Sequence, residues 1–90
     1  MRVLTNDVFC AALLMAHGAR VVDLLVDRTG ARHSGTFFLE GDEALLEHQA
    51  AYSRGEAVAS VKAIRDGVTF LRGRLAATLE RSSSQRRRTA

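Results

Sequence analysis

The 90-residue sequence lacks proline and tryptophan, has no internal repeat, and contains one cysteine. That residue, Cys10, has no partner for an intramolecular disulfide, and its setting in "VFCAALLMA" is typical of a small buried apolar side chain. The same run, Val8–Ala16, is too short to span a bilayer and is not preceded by a signal peptide's charged segment. These absences predict a cytoplasmic, soluble protein with no membrane partner.

Motifs that carry chemistry are also scarce. His17, His33 and His48 form no helical pair with another ligand and no CxxC-type spacing, which predicts no metal site. The loop "DRTGAR" has one glycine and no following helix to direct N–H groups at a phosphate. The sequence therefore predicts no catalytic residue, no cofactor, no small-molecule substrate and no enzyme. A deep pocket lined by Cys10 and a histidine would instead indicate an enzyme.

Charge is distributed unevenly along the chain. Of the 13 basic residues, four lie in residues 81–90, which contain no acid, so residues 1–80 carry nine basic and all ten acidic residues. The predicted domain, residues 1–81, is thus nearly neutral, whereas residues 82–90 are predicted to form a disordered basic tail. Arginine supplies twelve of the basic residues, a bias that suits phosphate contacts but also follows from a GC-rich coding sequence.

Glycines and capping residues delimit three predicted helices. They span about Asn6 to His17, Asp42 to Arg54 and Val61 to Arg81; Gly18 and Gly55 end the first two, and Ser60 caps the third. On the first, Val8, Phe9, Ala12, Leu13 and Ala16 are expected to share a face. On the third, Gly67 would permit another helix to approach, in this chain or a second copy, or would mark a kink.

Two runs rich in β-branched and aromatic residues predict a β-hairpin. They are Arg20–Asp27 and His33–Glu40, joined by a loop longer than two residues. The fold class is therefore α+β, one domain in the order α-β-β-α-α, with the hairpin packed on helices. If Val22, Leu24 and Val26 face the helices, the opposite sheet face and its edges stay open to a further strand or a partner. The predicted protein-interface residues are Val21, Leu25 and Phe38 on this face and Phe70 on the third helix.

Basic residues on the third helix make up the other candidate site. Lys62, Arg65 and Arg72 recur at spacings of three and seven and lead towards the tail, a track suited to a phosphate backbone. A solvated helix face interrupted by Asp66 is the competing interpretation. The full predicted nucleic-acid-binding set is Lys62, Arg65, Arg72, Arg81, Arg86, Arg87 and Arg88.

At "TNDVFCAALLMAHG" and "YSRGEAV…LRGRL" the chain resembles a small domain family of unknown function found in bacteria and their phages. The match covers about residues 5–75 and rests on structural residues: Phe9, Ala12, Gly18, Phe37, Tyr52, Gly55 and Leu71. The resemblance implies the same element order and an accessory or mobile-element context. It transfers no active site.

Two functions are therefore expected. The first is a non-enzymatic accessory protein that binds the phosphate backbone of RNA or DNA alongside a larger complex, without reading sequence. The alternative is a protein-interaction or homo-oligomerisation module with no nucleic-acid role.

Overall fold

The computed structural model describes the backbone of residues 1–29 and 32–89 and the side chains of residues 1–26 and 35–79. Helices and a three-stranded antiparallel sheet make up one α+β domain, which confirms the predicted fold class. A short N-terminal strand precedes the predicted order. In chain order the elements are β1 (Arg2–Thr5), α1 (Val8–Ala16), β2 (Arg20–Thr29), β3 (Arg32–Glu40), α2 (Ala44–Ser53) and α3 (Val61–Thr89).

The sheet has the strand order β1-β3-β2, so the N-terminal strand covers one edge of the predicted hairpin. Both β1 and β2 run antiparallel to β3 and hence parallel to each other. The connection between them carries α1, which makes the first part of the chain a split β-α-β unit. Buried Val3 of β1 lies opposite buried Leu39 of β3, so the added strand contributes to the same core.

A bulge in β2 changes which side chains face the helices. The register shifts between Val21 and Asp23, which leaves Val22 as an extra residue. Val21 lies opposite Leu39 and packs against the core, whereas Val22 is exposed. The face predicted for Val21 is therefore wrong, because strict alternation does not hold across a bulge. The placement of Leu24 towards the core is confirmed, and Phe37 on β3 is buried in the same core.

Local signals fix the helix ends. The Asp7 carboxylate accepts hydrogen bonds from the N–H groups of Phe9 and Cys10 at the start of α1, and Ser60 Oγ accepts one from Ala63 N–H at the start of α3. Gly18 and Gly55 adopt φ angles of 98° and 75° just beyond α1 and α2, a left-handed conformation that glycine takes without steric cost. The predicted stops and the predicted α3 cap are thus confirmed.

The core lies between one face of the sheet and the helices. Its largest fully buried side chains come from several elements: Leu14, Leu39, Leu45 and Leu71. The helix that approaches Gly67 belongs to the same chain, since a Cβ placed on Gly67 would lie 2.9 Å from Ala12 Cβ of α1. Close α1–α3 packing is therefore the reason for a glycine there.

Two element ends differ from the predicted ones. The strands of the hairpin extend to Thr29 and Arg32, which leaves only two residues between them, so the predicted longer loop is wrong. Helix α3 extends to Thr89 rather than Arg81. Within the described part of the chain, no helix is both long enough and apolar enough to cross a membrane.

Candidate nucleic-acid interface

Lys62, Arg65 and Arg72 all lie exposed on α3, in the part of the helix that packs on the domain. Val68 and Leu71, between them in sequence, are buried and hold this part of α3 against the core. Seven residues of helix separate the two arginines, which corresponds to about 10.5 Å along the axis. The helix therefore fixes the backbone distance between Arg65 and Arg72, and the distance between their guanidinium groups varies only by side-chain rotation.

The three basic side chains form no ion pair with an acid whose side chain the structure describes. Among the side chains that the structure describes, ion pairs join only Arg2 to Glu40, at 3.7 Å, and Arg54 to Glu56, at 3.0 Å. Asp66, which interrupts the basic stripe in sequence, forms neither of these pairs and is exposed. Lys62, Arg65 and Arg72 thus keep their donors available for an external anion.

An open groove of about 340 Å³ lies beside this basic surface, between α1 and α3. Arg65, Thr69 and Arg72 contribute its polar lining. The apolar lining consists of Phe9, Val61, Ile64 and Val68. An aromatic ring and aliphatic side chains next to two arginines that pair with no described acid form a surface that suits a flat apolar group carrying negative charge.

Phe9 is the residue of this groove that sequence reasoning missed. Its ring was expected on the inward face of α1, but it is 50% exposed, while Cys10 to Leu14 are buried. Because α1 lies between the sheet and two helices, nearly its whole circumference is buried. A pattern with one apolar face and one polar face therefore does not describe this helix. The sequence feature that indicates burial on all sides is the run "VFCAALLMA", which gives the helix no polar face.

The other aromatic candidates fall in different places. Tyr52 is half-buried and donates its hydroxyl to Asp7 Oδ2 at 2.6 Å. Phe70 is 47% exposed, and the Arg74 guanidinium lies 5.9 Å from its ring centroid, within cation–π range. Phe70 does not line the groove. The side chains of Arg81, Arg86, Arg87 and Arg88 lie outside the described residues, so their part in the site stays a prediction.

The predicted protein interface is brought together only in part. Leu25 is exposed on the sheet face away from the helices, and Phe38 on the same face is half-buried. Leu4 of β1 lies opposite Phe38 and enlarges this apolar face, which we call the outer sheet face. Val21 faces the core instead, and Phe70 lies on a separate surface of α3.

Side chains protect the two outer edges of the sheet. Met1 and Gly41 exchange two backbone hydrogen bonds, at 2.8 and 2.9 Å. Because hydrogen-bonded and non-hydrogen-bonded pairs alternate along an antiparallel ladder, the N–H and C=O groups of Leu4 point away from β3. Gln49 Nε2 of α2 donates to the Leu4 carbonyl at 3.0 Å. On β2, Asp23 Oδ1 accepts the Leu24 N–H at 2.8 Å, next to the bulge. Both devices reduce the tendency of an edge to pair with another strand.

One carboxylate and one phenol link α1 to α2. Hydrogen bonding to Tyr52 lowers the pKa of Asp7, against a smaller opposing effect of burial. The same bond, with burial, raises the pKa of Tyr52 to about 12. The pair stabilises the packing of the helices and offers no proton near neutral pH, which argues for a structural role.

The histidines and the cysteine do not assemble into a reactive cluster in the described part of the chain. The rings of His17 and His48 stack with centroids 3.9 Å apart, and His17 Nε2 lies 3.0 Å from the Val58 carbonyl oxygen. Burial raises the pKa of the Cys10 thiol, which disfavours the thiolate that a nucleophile requires. No three potential metal ligands converge among residues with described side chains.

No protein-family model, curated protein sequence or solved structure matches the chain. The resemblance to a bacterial and phage domain family therefore stays a prediction.

Proposed function

We propose that the protein is a non-enzymatic accessory protein that binds nucleic acid through the phosphate backbone, alongside a larger complex. The observation that supports this most is the exposed set Lys62, Arg65 and Arg72 on a helix anchored in the core, which forms no ion pair with any described carboxylate. Phosphate contacts supply most of the affinity in sequence-independent binding. Arginine donors held in a fixed row suit that task better than a mobile charge.

The test is the salt dependence of binding to short RNA and DNA strands. Each phosphate contact contributes about 0.7 to the slope of log affinity against log salt for single strands and about 0.9 for duplex. The double substitution Arg65→Gln and Arg72→Gln should therefore reduce the slope by about 1.4 to 1.8. Fluorescence anisotropy of labelled strands across a salt series measures this change.

A matched control removes the same charge elsewhere. Arg2 and Arg54 are exposed but already paired with Glu40 and Glu56. Arg2→Gln with Arg54→Gln should leave the slope unchanged although the net charge falls equally. An equal loss in both double variants would point to general charge attraction and contradict a defined site on α3. Absence of binding by the unaltered protein at low salt would reject the function altogether.

A second candidate function, a protein-interaction module, is favoured by the outer sheet face. Leu4, Leu25 and Phe38 present apolar surface there, and apolar patches on a sheet face mark protein contacts more often than isolated exposed residues do. Because Gln49 and Asp23 protect the edges, the contact would use the face of the sheet rather than strand addition.

Sedimentation velocity distinguishes this candidate with one pair of variants. Leu25 is 58% exposed on the outer sheet face, and Leu46 is 53% exposed on α2. If the face mediates self-association, Leu25→Asp should shift the protein to the monomer while Leu46→Asp leaves the assembly intact. A monomeric unaltered protein at all concentrations would exclude homo-oligomerisation through this face.

A further inference from the structure

The groove between α1 and α3 combines three properties, two of which, its volume and its apolar lining, are not required for backbone binding. Its volume of about 340 Å³ lies near the lower end of the range for small-molecule sites, about 300 to 1,000 Å³. Its apolar lining includes a half-exposed aromatic ring, Phe9, together with Val61 and Ile64. Its polar lining comes from Arg65, Thr69 and Arg72, all on α3.

The charges around the groove define the chemistry of an occupant. Arg65 and Arg72 have no carboxylate partner among the described side chains, so the polar side of the groove attracts anions. Thr69 lies between them in sequence and adds a hydroxyl that both donates and accepts. An occupant that satisfies this lining has an aromatic or apolar body, polar edges and negative charge on both sides of that body.

We infer that the groove holds one unpaired base of a single-stranded nucleic acid, stacked on Phe9, with Arg65 and Arg72 on the flanking phosphates. This inference rests on the proposed function and specifies its substrate class. In a duplex each base is stacked between neighbours and cannot present a face to a side chain, whereas an unpaired base does so readily. A preference for single strands over duplex follows.

The exposed phenylalanines provide a matched pair for the test. Phe9 and Phe70 are 50% and 47% exposed, and only Phe9 lines the groove. Substitution of either by leucine retains apolar volume and removes the ring face on which a base stacks. We would measure the affinity of the full chain and of Phe9→Leu and Phe70→Leu for a short oligothymidylate, an oligouridylate and a duplex of equal length. A strand carrying a 2-aminopurine base, whose fluorescence is quenched by stacking, reports the contact directly.

The expected result is tighter binding of single strands than of duplex at the same salt concentration. Phe9→Leu should weaken single-strand binding by about 5- to 150-fold, the range for the loss of one base–aromatic stack. It should leave duplex affinity and the salt slope unchanged and abolish the quenching. Phe70→Leu should leave all of these quantities unchanged, and circular dichroism would confirm that both variants are folded.

The other outcomes overturn the inference in distinguishable ways. Equal loss for single strand and duplex, or no effect of Phe9→Leu while the salt slope persists, would reject the base-binding groove but retain backbone binding. No binding of any strand by the unaltered protein would reject both proposals. Displacement of an apolar dye from the groove by laurate or by an acidic amphipathic peptide, but not by oligothymidylate, would assign the groove to that other occupant.

Discussion

A single carboxylate, that of Asp7, accepts hydrogen bonds from two elements. Oδ1 accepts from the N–H groups of Phe9 and Cys10 at 2.9 and 3.3 Å, and Oδ2 accepts from the Tyr52 hydroxyl at 2.6 Å. Asp7 therefore caps α1 and also ties it to α2. Since ionised acceptors form stronger hydrogen bonds than neutral ones, the charge on Asp7 should be measurable in the behaviour of Tyr52.

The predicted consequence is a shifted titration of Tyr52, the only tyrosine in the chain. Its pKa in the folded protein is raised to about 12, compared with about 10 for an unperturbed tyrosine. Absorbance of the phenolate, recorded while circular dichroism shows the fold to be intact, reports this residue alone. Asp7→Asn retains a capping oxygen but removes the charge, so the midpoint should fall towards 10. Asp66→Asn is the control and should not move it.

The direction of each pKa shift determines the pH range in which the group contributes to the stability of the fold. Folded Tyr52 holds its proton more tightly than the unfolded chain does, so its contribution to stability is complete below pH of about 10 and is lost as pH rises towards 12. The lowered pKa of Asp7 acts in the opposite range: its contribution is present above about pH 3.9 and is lost as pH falls through the folded value. An unshifted Tyr52 midpoint in the folded protein would contradict the contact.

At the scale of elements, the packing of α1 on α3 depends on one small residue. A Cβ at Gly67 would lie 2.9 Å from Ala12 Cβ and 3.2 Å from its Cα, whereas a Cβ at Gly73 would meet nothing within 4 Å. Both glycines lie in the same helix, where alanine is favoured over glycine by about 1 kcal/mol. The two positions therefore separate helix propensity from packing.

We expect Gly73→Ala to raise the free energy of unfolding by up to about 1 kcal/mol. Gly67→Ala should lower it by up to about 2 kcal/mol, because overpacking costs about 1 to 3 kcal/mol and the gain in helix propensity offsets only about 1 kcal/mol of that. Urea denaturation of both variants measures the difference. If Gly67→Ala stabilised the protein as much as Gly73→Ala, α1 and α3 would not be in close contact at this point.

The elements that sequence patterns predict well are those with local signals. Ser60 marks the start of α3, and Gly18 and Gly55 mark the ends of α1 and α2, because caps and left-handed stops depend on neighbours within a few residues. Sequence patterns do not predict β1, because a strand of four residues shows almost no periodicity and its partner, β3, lies more than thirty residues further along the chain. The bulge that turns Val21 inward is likewise absent from the alternation pattern.

The candidate site follows the same division. Helical spacing alone predicts that Arg65 and Arg72 lie on one side of α3, and both line the groove. Phe9 was not assigned to the groove, because its exposure depends on how three elements enclose α1 and not on the local pattern. The part of a site carried by one helix is thus readable from sequence, and the part created between helices is not.

For the whole molecule, the one-sided sheet separates two surfaces of different chemistry. The helices cover one face, so the apolar outer sheet face and the basic side of α3 belong to different parts of the surface. A protein partner on the sheet and a nucleic acid on α3 would not compete for the same residues. This arrangement suits an accessory protein that is held by a larger complex while it contacts a strand.

The last prediction concerns the tail as a separable part of the molecule. Every fully buried side chain among the described residues lies between Val3 and Leu71, so a chain ending at Arg81 keeps the whole described core. Its free energy of unfolding should stay within about 0.5 kcal/mol of the full chain, as is usual for changes outside the core. If the tail contacts phosphates, loss of Arg86, Arg87 and Arg88 should reduce the salt slope by about 2 to 3.

The triple substitution of those arginines by glutamine separates charge from chain length. It retains all 90 residues, so an arm that acts through phosphate contacts should lose the same slope in this variant as in the shortened chain. A slope that falls only on shortening would mean that the length of the helix, and not its charge, positions the strand. A clear loss of stability on shortening would place residues 82–90 against the domain and contradict the boundary at Arg81. An unchanged slope in both variants would leave Lys62, Arg65, Arg72 and Arg81 as the predicted phosphate contacts, with residues 82–90 serving only as solvated chain.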